Sequence, residues 1–317
     1  MSMRDDGAGP SGRAPVSPDA SAPPGLLRRA ARSAGAVVDA LAADDRAWSL
    51  IDRTLLRLDR RLLWSRGQVE SRRADERTAR LARRLSASLE VLHGPFAGLR
   101  YPEAAATGSS LLPKVLGTYE QEIHPWIEHI AGGGHRIVVN VGCAEGYYAV
   151  GLARRLPAAE VLAYDSDPRA RELCRAMAEA NGVAERVTVG ATCTEDDLVA
   201  LGPGSAVLVV MDCEGCERSL LSRRVVDALP EADFLVELHD FIDITTSGTI
   251  DERFAASHDI EQRLSEDDIR KAYTYEVPDL DELGLSLEER RVTLAEGRPT
   301  IMRWILATHR LADDTSA

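Results

Sequence analysis

Two short stretches bring carboxylates, an imidazole and thiols together in a way that could do chemistry. VLVVMDCEGCERSL, residues 207–220, runs five apolar residues into Asp212, Cys213, Glu214, Gly215 and Cys216. DFLVELHD, residues 233–240, closes on Glu237, His239 and Asp240. An imidazole beside carboxylates suits general-base work, because it titrates near neutral pH. Asp212, Glu214, Glu237 and His239 could instead hold a divalent cation, which would lower the pKa of a bound hydroxyl; the reading without metal is favoured. A structural zinc site takes four ligands, and no second CxxC exists in the chain. Cys213 and Cys216 therefore read as small apolar fillers, reduced thiols like the rest of the five cysteines.

For these residues to meet, the segments before them must lie side by side. RIVVNVG (136–142), EVLAYD (160–165), RVTVG (186–190), AVLVVMD (206–212) and DFLVELH (233–239) are short runs rich in Val and Leu. Helical stretches at 146–156, 168–181 and 214–228 separate them. That alternation predicts an α/β fold, a doubly wound and mostly parallel sheet covered on both faces. HDIEQRL (258–264) and TIMRWILATH (300–309) read as two more strands, joined by a connector of about 35 residues, longer than usual and so functional or mobile. In an open parallel sheet ligands sit at the carboxyl ends of the strands, which places both opening stretches on one cleft.

The first strand leads into VVNVGCAEGYYAVGLARRL, residues 138–156. A glycine turn lets a ligand approach the backbone, and the helix that follows supplies free N–H groups. The dinucleotide pattern G-x-G-x-x-G fails, because Ala144 and Tyr147 stand where its second and third glycines belong; what remains is Gly142-x-x-x-Gly146. At the end of the second strand, EVLAYDSDP sets Asp165 where a carboxylate can accept both hydroxyls of a ribose. Asp167, before Pro168, can cap the next helix and leave Asp165 free.

NVGCAEGYYAV, AYDSDP, MDCEGCERSLL and LVELHD, in that order and spacing, resemble the class I S-adenosylmethionine-dependent methyltransferases, in particular the FkbM-like group, over residues 94–309. The resemblance implies a seven-stranded Rossmann-like sheet whose last strand, TIMRWILATH, runs antiparallel. It places Gly142, Glu145 and Gly146 around the methionine part of the cofactor, Asp165 at its ribose, and Ala191 and Thr192 near its adenine. Cys143, Ala144, Tyr147, Ser166 and Asp212 are further candidates for contact with the cofactor. A sulfonium methyl needs in-line geometry and loss of the acceptor's proton. His239 is the favoured base, with Asp212 and Glu237 as its catalytic companions. Lys114, Tyr119, Glu120, Glu214 and Asp240 are candidates for contact with the acceptor. Many family members carry Asp or Glu where Asn140 stands. The Asn/Asp-Pro-Pro-aromatic turn of enzymes that methylate base amines is missing, which favours O-methylation of a sugar or natural-product hydroxyl. The alternatives are a cofactor-binding scaffold of a biosynthetic assembly without catalysis and an N-methyltransferase for a small molecule.

The flanking regions are less specific. Residues 1–25, rich in Gly, Pro, Ala and Ser, read as a disordered tail, and 311–317 as a short one. Residues 26–93 carry Leu at helical spacing (Leu55, Leu58 and Leu62; Leu81, Leu85, Leu89 and Leu92) and predict two or three Arg-rich helices with a break near Gly67. Their stripe could pair two copies as a homodimer. A lead-in segment, 94–131, is expected to become helical from Gly117 to Ile130 and roof the cofactor; the binding domain follows at 132–310. The net charge is −13, with the basic surplus confined to 26–90, so the acidic body argues against a nucleic-acid partner. No run approaches a membrane span or a signal peptide, and a cytoplasmic protein is expected.

Overall fold

The computed structural model describes residues 36, 45–204 and 206–310; the tails expected at 1–25 and 311–317 lie outside them. The chain divides into two compact units that meet at Arg72 and Arg73. Helix α1, Asp45–Leu85, is one 41-residue element. It runs through Gly67, where a break was expected. A single glycine costs a helix about 1 kcal/mol, and the Leu, Arg, Ala and Glu around it absorb that. The helical pattern also stops at Leu85 rather than continuing to Leu92, since Leu89 takes a left-handed backbone and Glu90 pairs with Arg100 in a short bridge. Leu62 and Leu63 are exposed, and Leu81 and Ala82 are buried.

The second unit is built on β1 (Ile137–Val141), β2 (Glu160–Tyr164), β3 (Val187–Gly190), β4 (Val207–Met211), β5 (Asp233–Leu238), β6 (His258–Leu264) and β7 (Arg303–His309). They form one seven-stranded sheet in the order β3-β2-β1-β4-β5-β7-β6. Pairs from β3 through β5 are parallel, and β7 runs antiparallel between β5 and β6. This is the doubly wound, mostly parallel Rossmann-like architecture expected, with TIMRWILATH as its reversed strand.

The sheet forms because its central strands are apolar on both faces. Every residue of β4 is buried, and the period of two sends alternate side chains into different cores. Val138, Leu208 and Val210 pack with Phe96, Trp126, Tyr148 and Trp304 on one face. Val139, Val209 and Met211 pack with Phe234 and Phe254 on the other. The Phe234 and Phe254 rings meet edge to face at 4.8 Å, worth about 1 kcal/mol beyond their burial. Helices α4 (Tyr147–Arg155) and α5 (Pro168–Ala180) follow β1 and β2. Asp167 caps α5 by accepting from Arg169 N, with Pro168 in the first turn, as its place in the sequence suggested.

Two segments differ from expectation. The lead-in is not one helix from Gly117. Helix α2 (Leu111–Leu116) ends there, because Gly117 at φ 85° donates back to Pro113 O and Lys114 O. A 3-10 turn at Gln121–Ile123 then hands over to α3 (His124–Ala131), with Pro in its first turn. The long connector before β7 folds into three short helices, Asp268–Thr274, Pro278–Glu282 and Leu287–Leu294. Leu280 and Leu294 of these helices, with Val277 just before the second, pack on Leu116.

Because strand order reverses between β1 and β4, the crevice outside their carboxyl ends is open to a ligand. The two loops there touch: at φ 80°, Gly142 is so close to the Asp212 carbonyl that a Cβ would lie 1.7 Å from its oxygen. Gly142→Ala should therefore cost about 3 kcal/mol or more in urea unfolding. Gly182→Ala, also at positive φ but with nothing within 4 Å, should cost about 1 kcal/mol. Equal costs would show that the contact between the loops is not tight.

Candidate functional site

A cavity of about 490 Å³ opens over this crevice, within the range of small-molecule sites. Its floor is the glycine turn, from which Gly142, Cys143, Ala144 and Tyr147 line it. The turn is tied to the next strand, since Gly142 N and Cys143 N both donate to Tyr164 O at 2.9 Å. Gly146, at φ 102°, opens α4 and aims its free N–H groups toward the turn. Asp165 and Ser166 form one wall. Asp165 Oδ2 accepts from Ala144 N at 2.9 Å and Oδ1 from Asp167 N at 2.8 Å, which fixes the carboxylate and leaves each oxygen a further lone pair. Tyr164, Ala191, Thr192 and Cys193 close that end, and Lys114, Tyr119 and Thr107–Ser109 the other. Asp212, Cys213, Glu214 and Cys216 form the rim.

Two expected cofactor contacts are not on the wall. Gly146 lies behind the turn, and Glu145 is buried and committed elsewhere: Oε1 takes Lys114 Nζ at 2.6 Å and Tyr101 OH at 3.2 Å, and Oε2 takes Thr107 N at 3.1 Å. Glu145 thus aims Lys114 at the cavity. That cation also donates to Ser109 Oγ at 2.7 Å and stands 4.7 Å from the Tyr119 ring centre, a favourable cation–π distance.

The cysteines correct the sequence reading. Cys213 and Cys216 are joined as a disulfide and are not reduced fillers. Glu214 and Gly215 between them take positive φ, which folds the turn back and brings the two sulfurs together. Glu214 is thereby held at the tip of a closed loop. Cys143, Cys174 and Cys193 are buried free thiols.

Behind the rim, His239 is buried and meets four carboxylates. Its Nδ1 bonds Glu217 Oε1 at 2.7 Å. Its Nε2 lies 3.4 Å from Glu214 Oε2, 3.5 Å from Asp212 Oδ1 and 3.7 Å from Glu237 Oε2. Burial alone would lower the imidazole pKa, but the Glu217 bond, then the charges of Asp212 and Glu214, outweigh it and raise it. Sequence reasoning missed Glu217. Its one signal was an acid five residues beyond Asp212, on the helix that β4 feeds.

The remaining candidates sit deeper or aside. Glu237 and Glu120 are buried and share Arg298, which bonds Glu120 Oε1 at 2.6 Å and pairs with Glu237. Glu120 also accepts from Tyr148 OH. Arg298 and Glu296, 2.8 Å apart, come from the connector, and Glu296 pairs with buried Lys271. Burial raises Glu237 well above the usual carboxylate range, with Asp212 adding to it and Arg298 opposing. Glu120 is pushed up to about 7, by burial first and against Arg298. Asp240 is turned away, accepting from Ser247 N and Oγ, and so organises the loop after β5.

No protein-family model and no curated protein matches the chain. It is similar in structure to the O-methyltransferase TomG from Streptomyces achromogenes, involved in tomaymycin synthesis and solved with S-adenosylmethionine. The identity is 15% and the TM-score 0.40, over 74% of this chain and 89% of that one. An O-methyltransferase from Bacillus cereus, in complex with S-adenosylhomocysteine, is 14% identical at a TM-score of 0.40, over 62% and 82%. A Klebsiella pneumoniae protein provisionally described as an O-methyltransferase is 13% identical at 0.42, over 62% and 82%.

A carboxyl group whose folded pKa exceeds its unfolded one binds the extra proton only in the native state. Its penalty is absent below about pH 4.5 and grows as pH rises toward about 7. Between pH 5 and pH 8 the wild type should lose more stability than Glu120→Gln, measured by urea midpoints. Parallel losses would mean that Glu120 ionises normally.

Proposed function

We propose that the chain is an S-adenosylmethionine-dependent methyltransferase acting on a hydroxyl of a small molecule such as a sugar or a natural product. The observation that carries the reading is the pairing of a glycine turn pressed against Asp212 with a fixed, half-exposed Asp165 on the same cavity wall. In this reading the ribose bonds the free lone pairs of Asp165, and the adenine lies against Ala191, Thr192 and Tyr164. The methionine end reaches Lys114, whose third N–H is left for the amino-acid carboxylate. The sulfonium then falls over Gly142, facing Asp212 and Glu214.

In the reaction the S–CH₃ bond breaks as the acceptor oxygen bonds the methyl carbon, giving a neutral thioether. The hydroxyl proton must leave. The group formed by Asp212, Glu214 and His239 stands at the cleft rim to promote that loss, with Glu217 orienting the imidazole. Glu237 and Glu120, held by Arg298, act as support for Asp212 and not as contacts to the acceptor. A rim built of carboxylates favours a neutral or cationic acceptor over an anionic one.

Calorimetric titration tests the donor. S-adenosylhomocysteine should bind and nicotinamide dinucleotides should not, and Asp165→Ala should weaken the former about tenfold or more. Lys114→Met should weaken S-adenosylhomocysteine but leave 5′-methylthioadenosine, which lacks the amino-acid end, nearly unchanged. Equal losses for both ligands would contradict the placement of the methionine end, and full retention by Asp165→Ala would contradict the site.

A further inference from the structure

We propose that Asp212, Glu214 and His239 bind one divalent cation of the manganese or magnesium class at the rim of the cleft. The ligand atoms are already gathered. His239 Nε2 lies 3.5 Å from Asp212 Oδ1 and 3.4 Å from Glu214 Oε2, and the three residues' ligand atoms fall within 4.8 Å of one another. Neighbouring ligands of an octahedral ion at about 2.1 Å lie about 3.0 Å apart, and charge-assisted hydrogen bonds are near about 2.8 Å. At 3.4 and 3.5 Å the groups are not closed on a shared proton and need draw in by only about 0.4 Å to meet on one ion.

The imidazole is oriented for the purpose. Its Nδ1 is engaged by Glu217, which is fully buried. With Nδ1–H donated there, the Nε2 lone pair is directed at Asp212 and Glu214. A carboxylate behind a histidine, fixing its tautomer, is the recurrent support for a metal-bound imidazole.

Charge balance singles out this cluster. Glu145 is answered by Lys114, Glu296 by Lys271 and Arg298, and Glu120 and Glu237 by Arg298. Asp212 also groups with Glu120 and Glu237, but Arg298 already serves that side. Among the described residues Asp212 and Glu214 pair with His239 and with no Lys or Arg, and Glu217 already draws on that imidazole. Asp212 Oδ1 is buried and accepts no hydrogen bond. Such an oxygen is costly unless something cationic completes it. Two carboxylates with one imidazole, and cysteines tied up in a disulfide, suit manganese or magnesium better than a thiol-seeking ion. The role of the ion rests on the methyltransferase reading. It would take the acceptor hydroxyl as a further ligand and acidify it, with the proton released to water at the cleft mouth. Asp212 and His239 would then serve as ligands rather than as proton acceptors.

The test is titration of the full chain, stripped with chelator, with Mn²⁺ alone, following free Mn²⁺ by electron paramagnetic resonance. One ion per chain should bind and Mg²⁺ should compete. His239→Gln and Glu214→Gln should each weaken binding about tenfold or more, while Glu179→Gln, on the exposed face of α5, should not. Glu214 is 69% exposed in its side chain, so its variant keeps the test sound if His239→Gln misfolds. Absence of stoichiometric binding, or binding indifferent to both substitutions, overturns the proposal. S-adenosylhomocysteine is titrated into the same samples. Its binding without Mn²⁺ binding overturns only the cation site. Mn²⁺ binding without it upholds the site and overturns the methyltransferase reading.

Discussion

The site depends on one close approach, that of the Gly142 turn to the Asp212 carbonyl. The two loops leave adjacent parallel strands whose following helices cover opposite faces of the sheet, so only their tips can meet. A side chain at position 142 would force them apart. With glycine, the turn after β1 lies flat against the loop after β4 and forms the floor of the cavity. Asp165 then clasps the same turn from β2 through Ala144 N. The loops after β2, β1 and β4, neighbours in the sheet, are thus tied together before any ligand arrives, which is the preorganisation a binding site needs.

Behind that floor lies a buried ionic layer that is unusual in its balance. Lys114–Glu145 backs the Tyr119 end of the cavity, and Arg298 with Glu120, Glu237 and Glu296 lies behind Tyr119 and Asp212. Buried ion pairs seldom add much stability, because desolvation offsets their attraction. Their value here is positional: each fixes a group on the cavity wall or next to it. The layer also joins the lead-in segment and the late connector to the strand ends, so segments far apart in sequence share one site.

The sheet was legible from the sequence because its central strands are continuous apolar runs, and strand ends in such a sheet converge by topology. That was enough to place Gly142, Asp165, Asp212 and His239 together. The helix lengths were less legible: Gly67 is absorbed by α1, whereas Gly117 ends α2, and local composition does not separate a tolerated glycine from a cap. Arg298 was illegible for a different reason. Its partners Glu237 and Glu120 lie 61 and 178 residues away, and nothing in LAEGRPT marks it. Glu145 shows the reverse error, a residue adjacent to the glycine turn whose side chain points back to Lys114. The disulfide was missed because CxxC by itself fits several chemistries, and only the left-handed turn at Glu214 and Gly215 brings the sulfurs into reach.

The most direct measurement is a crystal structure of the chain grown with S-adenosylhomocysteine. The account predicts its ribose on Asp165 and its sulfur over Gly142, facing Asp212. A ligand bound away from the Gly142 turn, or one reversed so that its amino-acid end meets Asp165, would contradict it.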